Sequence, residues 1–168
     1  MGLDGGDPGD RLLGREPRPG TVTHMDAPAT AVRTLDETAA GNTDVVLSYL
    51  RVFETQQIAE LKHIVAEDVL VHGAGYHVQG RSYPESSVLS PGLSNCRVQV
   101  DDLFAAGDRV TVAATLTYHH DRSGRDVTMT ICKTYRLDDG LIVEFWGETD
   151  LYGLLRQLGH VPAEIPEF

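Results

Sequence analysis

The chain has 168 residues, enough for one domain and short for two. Its formal net charge is −11, and because so acidic a chain repels phosphate backbones, nucleic acid is not expected as a partner. No apolar run approaches the roughly 18 residues that a membrane-spanning helix needs, so no membrane span is expected either. The cysteines, Cys96 and Cys132, match no metal or redox motif, and two free thiols fit a reducing cytoplasm.

The N-terminal quarter differs in composition from the rest. No aromatic residue precedes Tyr49, and residues 1–41 hold seven of the 17 glycines and four of the eight prolines. Such a segment buries too little apolar surface to offset the entropy lost on ordering. We therefore predict a disordered leader over 1–41 and a folded domain over 42–168. The leader lacks the apolar stretch of about seven residues that a secretory signal carries after its basic start.

Helices are predicted at the start of the folded domain. Apolar residues recur at helical spacing from Val45 to Phe53, which predicts a helix that begins near Asp44 with Asn42 or Thr43 as its cap. A second short helix is predicted over 58–65, since its apolar residues also repeat with helical spacing.

Strands dominate the remainder. Residues 69–73 predict a strand, and the glycine-punctuated segment 73–81 predicts a turn with a second short strand. The Ser- and Pro-rich stretch 82–95 predicts at most one broken helical turn within a loop. A closing helix is predicted over 150–159, ending at Gly159. Turn residues separate four further predicted strands, which form an antiparallel meander over 96–105, 109–120, 125–137 and 141–149.

Strand alternation predicts which side chains face the core. In 109–120 the apolar set runs from Val110 through Tyr118 to His120 and should pack under the helices. In 141–149 the residues Ile142, Glu144, Trp146 and Glu148 share one face, so three acids (with Asp150) accompany the chain's single tryptophan. The alternation in 125–137 fits either a cavity wall or an exposed face.

Three segments in this order resemble a known family. They are "AEDVLVHGAG", "DDLFAAGDRVTVAATLTYHH" and "YRLDDGLIVEFWGETDLYGLLRQLG". Over residues 42–160 the chain resembles the SnoaL-like polyketide cyclases, which belong to the nuclear-transport-factor-like superfamily with ketosteroid isomerase and limonene epoxide hydrolase. The resemblance implies an α+β fold in which a cone-shaped, strongly curved antiparallel sheet packs on N-terminal helices and encloses an apolar pocket. It also implies a homodimer formed through the sheet.

The resemblance carries over to a few positions. The carboxylate that this superfamily places on or just after the last strand corresponds to Glu148 or Asp150. Tyr49 resembles the first-helix tyrosine that polarises a carbonyl in the isomerases, and His120 matches a histidine that is frequent at this point. Two departures stand out. The isomerase general-base position falls at about Gly73, which transfers no proton, and the Arg and Asp of the epoxide hydrolase have no counterpart.

Each candidate also has a structural reading. Glu148 shares its face with Trp146 and is the favoured catalyst, since burial beside a cavity raises a carboxyl pKa toward neutrality. Asp150 can instead cap the final helix. Glu144 fits a salt bridge to a base on the neighbouring strand, and His120 fits a strand-end histidine in contact with water.

The resemblance also implies that the pocket binds an apolar, oxygenated small molecule. No cofactor is expected, and no histidine pair has a metal-site spacing, so no metal is expected. The residues predicted to line the substrate pocket are Trp146, Tyr118, His72, Phe53, Leu116 and Tyr76.

The resemblance implies a cofactor-independent cyclase or isomerase that acts on a polyketide-like intermediate in biosynthesis. Glu148 or Asp150 would move the proton with His120 as partner, and Tyr49 would hydrogen-bond the developing oxyanion. The first alternative is epoxide opening, either as hydrolysis or as ether-ring formation. The second is a non-catalytic small-molecule binder.

Overall fold

The computed structural model describes residues 32–33 and 37–162. The predicted leader up to residue 31 lies outside the described residues. The elements, in chain order, are β1 (Val32–Arg33), α1 (Glu37–Thr55), a 3₁₀ helix (Ile58–His63), β2 (Val65–Gly73), β3 (Tyr76–Gln79), α2 (Ser82–Val88), β4 (Leu93–Ala106), β5 (Arg109–His120), β6 (Arg125–Asp138), β7 (Leu141–Thr149) and α3 (Leu151–Gln157). No helix within 37–162 combines the length and apolarity that crossing a bilayer requires.

The strands form one open sheet in the order β1-β4-β5-β6-β7-β2-β3. The predicted meander β4 to β7 is confirmed as an antiparallel series. The sheet as a whole is mixed, however, because β2 pairs in parallel with β7 and β1 pairs in parallel with β4. The predicted α+β fold is confirmed, and its sheet departs from antiparallel pairing only at these two junctions of the described strands. Strands that are distant in the sequence lack a hairpin that would fix their relative direction.

The first helix begins earlier than the apolar spacing indicated. It starts at Glu37 rather than near Asp44, so the last residues of the predicted leader belong to α1. Thr43 is not a cap, because its hydroxyl donates to the carbonyl of Ala39 at 2.8 Å from within the helix. Asn42 donates to the carbonyl of Gly107 at 2.9 Å and so joins the helix to the turn before β5. Tertiary contact therefore extends a helix whose start carries little sequence signal.

The core lies between α1 and the inner face of the sheet. On β5 the predicted inward set is confirmed as far as Tyr118, since Val110, Val112, Ala114, Leu116 and Tyr118 are all buried. His120, the last member of that set, is only partly buried. The apolar stripe of α1 covers this face and supplies a second buried set, which comprises Val46, Tyr49, Leu50, Val52 and Phe53.

A β-bulge changes the faces of β7. Arg136 pairs with Glu144 and Leu137 pairs with Ile142, so Val143 has no partner on β6. Ile142 and Phe145 are consequently both buried, although simple alternation puts them on opposite faces. The expectation that Ile142 shares a face with Glu144 and Trp146 is therefore wrong. After the bulge Phe145 and Gly147 point inward.

Candidate active site

A cavity of about 250 Å³ opens between α1, α2, the inner face of the sheet and the start of α3. Its wall is mainly apolar, and it includes four of the six residues that were predicted to line the pocket: Phe53, Leu116, Tyr76 and Tyr118. Tyr49, predicted as the hydrogen-bond donor to the substrate, also lines it. Its remaining apolar wall comes mostly from Leu50, Met129, Ile131 and Leu154.

Five tyrosines line the cavity, and three of them are deeply buried. Tyr49, Tyr118 and Tyr135 are 1%, 2% and 0% exposed. Burial raises the pKa of each of them, so all three stay protonated and able to donate at neutral pH. The Oη of Tyr135 has no hydrogen-bond partner among the described residues. The Oη of Tyr118 has no hydrogen-bond partner of usual geometry among the described residues either, although the Cys96 thiol lies near it.

A second pair of tyrosines forms the wall near β3 and α2. The hydroxyls of Tyr76 and Tyr83 are hydrogen-bonded to each other. The pKa of Tyr83 is raised to about 12, mainly by burial and to a smaller extent by this hydrogen bond. The ring of Tyr76 fills the space beside Gly73, where an added Cβ would lie 2.1 Å from Tyr76 Cζ. A side chain at residue 73, the position that the resemblance matches to the isomerase base, would therefore require the Tyr76 ring to move.

Lys133 is the functional group that the sequence reasoning missed. It lies on β6 in the same inward alternation as Ile131 and Tyr135, and it lines the cavity. Its Nζ lies 5.6 Å from the ring centroid of Phe145, and none of the described carboxylates forms an ion pair with it. Burial lowers the pKa of its ammonium to about 8. Continuing the alternation from Ile131 by two residues would have placed this lysine inward.

Gly147 makes room for the lysine. It pairs with Lys133 across β6 and β7, and a Cβ added to it would lie 2.3 Å from Lys133 Cγ. Real Cβ atoms do not approach so closely, so the lysine stem crosses the strand only because residue 147 has no side chain. The long stem can then follow the apolar wall toward the cavity.

Glu148 borders the cavity but is not buried in it. Its strand position puts it on the face of Trp146 rather than on that of Gly147, and the residue is exposed. Among the described residues that line the cavity it is the one carboxylate. The expectation that Glu148 is buried beside the cavity is therefore wrong, because the residue borders the cavity from an exposed position near the end of β7.

Asp150 and His120 lie outside the cavity lining. Asp150 is the N-cap of α3, where its Oδ1 accepts a hydrogen bond from the backbone N–H of Gly153 at 2.7 Å. His120 ends β5, and its Nδ1 lies 2.7 Å from the hydroxyl of Ser123 in the following turn. The structure does not bring either side chain together with Glu148 and Tyr49.

The predicted placement of Trp146 and His72 on the pocket wall is wrong. Both lie on the outer face of the sheet, where their rings stack at 4.9 Å with an interplanar angle of 8°. The guanidinium of Arg109 lies 5.1 Å from the centroid of Trp146. The reason is the bulge at Val143, which turns the tryptophan away from the core.

Glu144 has the structural role that the sequence predicted for it. Its two carboxylate oxygens accept hydrogen bonds from Arg136 Nε at 2.9 Å and from His72 Nε2 at 2.8 Å. Burial acts to raise the pKa of Glu144, but these two hydrogen bonds outweigh it and hold the pKa below its usual value. The Nδ1 atoms of His72 and His77 lie 2.7 Å apart, so one of them donates to the other.

No group of three metal-binding side chains converges within the part of the chain that the structure describes. Both cysteines are free, with Cys96 buried and Cys132 exposed. The polar groups of the cavity are thus five tyrosine hydroxyls, three serine or threonine hydroxyls, one lysine and one rim carboxylate.

Solved structures share this fold. A candidate polyketide cyclase from Bacillus cereus superposes with a TM-score of 0.69 at 20% identity, covering 90% of this chain and 99% of that one. The candidate hydroxylase AclR from Streptomyces galilaeus superposes with a TM-score of 0.67 at 20% identity, covering 77% of this chain and 87% of that one. An LEH-like epoxide hydrolase from M. tuberculosis superposes with a TM-score of 0.60 at 15% identity, covering 73% of this chain and 92% of that one. At these identities the likeness establishes the fold.

The sequence itself carries the family assignment. No curated protein matches the chain. The family model of the SnoaL-like polyketide cyclases matches residues 43–158, more than half of the chain. The matched range spans the meander, the cavity and the capped final helix. The chain therefore belongs to the SnoaL-like polyketide cyclase family.

Proposed function

We propose that the protein is a cofactor-independent cyclase or isomerase that moves a proton next to a carbonyl group of an apolar, polyketide-like molecule. The observation that carries the proposal is the composition of the cavity, in which buried tyrosine hydroxyls face an apolar space with one carboxylate at its rim. Hydroxyl donors stabilise the oxyanion that forms when a carbon beside a carbonyl loses a proton. Membership of a cyclase family supports the same reaction class.

Glu148 is the proposed proton-transfer group, and Tyr49 is the proposed donor to the carbonyl oxygen. Both line the cavity. Asp150 is a weaker choice, because its carboxylate already accepts the hydrogen bond that caps α3. His120 is also weaker, because it lies at the end of β5 beside Ser123. The homodimer through the sheet and the cytoplasmic location stay predictions.

Proton exchange tests this function without knowledge of the natural substrate. We expect the wild-type protein to accelerate exchange of the α-protons of 2-tetralone with D2O, followed by NMR. The Glu148→Gln variant should lose about a hundredfold of that rate, since the amide keeps the shape but cannot accept the proton. Because Glu148 is exposed, its replacement should leave the melting temperature unchanged.

Asp150→Asn is the matched comparison, because asparagine also caps helices well. Full activity in Glu148→Gln with loss in Asp150→Asn would transfer the role to Asp150. Full activity in both variants would contradict the carboxylate mechanism.

Epoxide opening is the second candidate, and the hydroxyl pair of Tyr76 and Tyr83 is the observation that favours it. Two hydroxyls at one wall of the cavity can donate to an epoxide oxygen while a rim carboxylate activates water. Incubation with styrene oxide in H2¹⁸O distinguishes the two reactions. Enzyme-dependent formation of labelled diol would favour epoxide hydrolysis over proton transfer.

A further inference from the structure

The polar groups deepest in the cavity are donors of hydrogen bonds or of positive charge. Tyr135 is buried with a protonated hydroxyl, and its Oη has no hydrogen-bond partner among the described residues. Lys133 lies two residues before Tyr135 on the same inward face of β6 and adds an ammonium. Glu148, the one carboxylate among the described residues that line the cavity, is exposed at the rim and forms no ion pair with the lysine.

An ammonium among apolar side chains is costly unless a counter-charge compensates it. The face of the Phe145 ring, at 5.6 Å, gives Lys133 only a weak attraction. The fold nevertheless makes specific room for this side chain, because the stem of Lys133 passes over Gly147, where any Cβ would clash at 2.3 Å. A charged group that is accommodated in this way, with no carboxylate partner among the described residues, is available to a ligand.

We propose that Lys133 and Tyr135 form a subsite for an acidic oxygen group of the substrate, so that the substrate is an apolar molecule bearing a carboxylate or an enolate rather than a neutral ketone alone. The ammonium supplies the counter-charge and the hydroxyl donates to the oxygen. The inference extends the proposed function and rests on it in one respect, because both place the substrate in the same cavity. It concerns binding, whereas the role of Glu148 concerns proton transfer.

A matched pair of aromatic probes tests the subsite. 2-Naphthoate and 2-naphthamide have nearly the same shape and differ in charge, and their dissociation constants can be measured by calorimetry at pH 7. We expect the wild-type protein to bind the naphthoate about ten- to hundredfold more tightly than the naphthamide. Equal affinities, or no saturable binding of the naphthoate, would overturn the proposal.

Variants of the lysine separate its charge from its packing. Lys133→Met keeps an unbranched apolar stem, and in it the preference for the naphthoate should fall to about twofold or less. Lys62→Met is the control, because Lys62 is exposed on the 3₁₀ helix and lies outside the cavity lining. A preference that survives in Lys133→Met would contradict the assignment. Loss of 2-tetralone exchange in Glu148→Gln with an intact preference would show that proton transfer and anion binding are separate.

Chemical protection gives a readout that needs no variant. The chain contains two lysines, Lys62 and Lys133, so acetylation of each is resolved by peptide mass spectrometry. We expect saturating 2-naphthoate to slow acetylation of Lys133 by about tenfold and to leave Lys62 unchanged, while 2-naphthamide protects much less. Equal protection of Lys133 by the two probes, or none by the naphthoate, would show that the anion does not sit on the lysine.

Discussion

A single hydrogen bond changes the role that can be assigned to the carboxylate of Asp150. It follows Glu148 by two residues, and both positions suit the family's acid. The side chain of Asp150 nevertheless accepts from the N–H of Gly153 at 2.7 Å, which satisfies one of the unpaired donors at the start of α3. A carboxylate with this task contributes to helix stability whatever its other role.

The cap gives a prediction about stability. Asp150→Ala should lower the free energy of unfolding by about 1 kcal/mol, because it removes the N-cap acceptor, whereas Asp150→Asn should lie close to the wild type. Urea denaturation followed by circular dichroism measures both. Equal stability of the alanine variant and the wild type would mean that the hydrogen bond contributes nothing in solution.

Glu144 gives a second prediction, which concerns the loss of stability at low pH. Its folded-state pKa is held below the usual value by hydrogen bonds from Arg136 and His72, against the opposing effect of burial. The stabilisation is therefore fully present above the ordinary pKa and is lost as the pH falls through the folded-state pKa. Glu144→Gln should lower the free energy of unfolding by about 1 to 2 kcal/mol at pH 7 and by much less at pH 3.

Urea denaturation at the two pH values measures this difference. Asp138→Asn is a suitable control, since Asp138 lies on the same strand pair, is exposed and forms none of the ion pairs described. A constant destabilisation of Glu144→Gln across the pH range would show that the effect is steric rather than electrostatic.

At the scale of elements, β7 determines which groups reach the cavity. The unpaired Val143 shifts the alternation by one residue, so Glu144 and Trp146 turn outward while Phe145 and Gly147 turn inward. Nothing in "LIVEF" signals this bulge, because it contains no Gly or Pro and its four apolar residues all suit a strand. The wrong placement of Trp146 follows from this one residue, whereas His72 points outward because it follows the buried Val71 on β2.

The meander, by contrast, was predictable almost to the residue. β5 and β7 have the predicted bounds, β6 is one residue longer than predicted, and β4 and the closing helix differ from the prediction by up to three residues at their ends. Hairpins leave strong local signals, since turn residues such as "DDG" mark where each strand stops. The start of α1 and the parallel pairing of β2 leave no such signal, because both depend on contacts between distant segments.

For the cavity, the sequence predicted the aromatic and aliphatic wall better than the polar groups. Tyr49, Tyr118, Phe53 and Leu116 lie where helical spacing and strand alternation put them. Lys133 was overlooked because a lysine is normally assigned to the surface, even though its alternation on β6 indicates the interior. Its burial depends on Gly147 of a different strand, which strand alternation within β6 alone does not reveal.

At the scale of the whole molecule, the ammonium of Lys133, which folding partly buries, makes the free energy of unfolding depend on pH in the alkaline range. Its pKa falls from 10.5 to about 8 on folding, so between these values the unfolded chain holds more protons than the folded one. Stability should therefore rise with pH across this interval. Relative to Lys133→Met, the free energy of unfolding of the wild type should increase by about 2 kcal/mol between pH 7.5 and pH 10.

The comparison with Lys133→Met removes the contribution of the buried tyrosines, which are present in both proteins. Urea denaturation at half-unit steps of pH provides the measurement. A difference between the two proteins that does not change with pH would show that the ammonium is solvated in the folded state.

The contact between Gly147 and Lys133 has a consequence for how this protein can change during evolution. The absent side chain on one strand and the long one on its neighbour fill a single volume, so neither position can vary freely without the other. A relative that acquires alanine at the position of Gly147 would have to shorten or redirect the residue at that of Lys133. Gly147 and Lys133 are therefore expected to change together in evolution, although the glycine itself adds no functional group to the cavity.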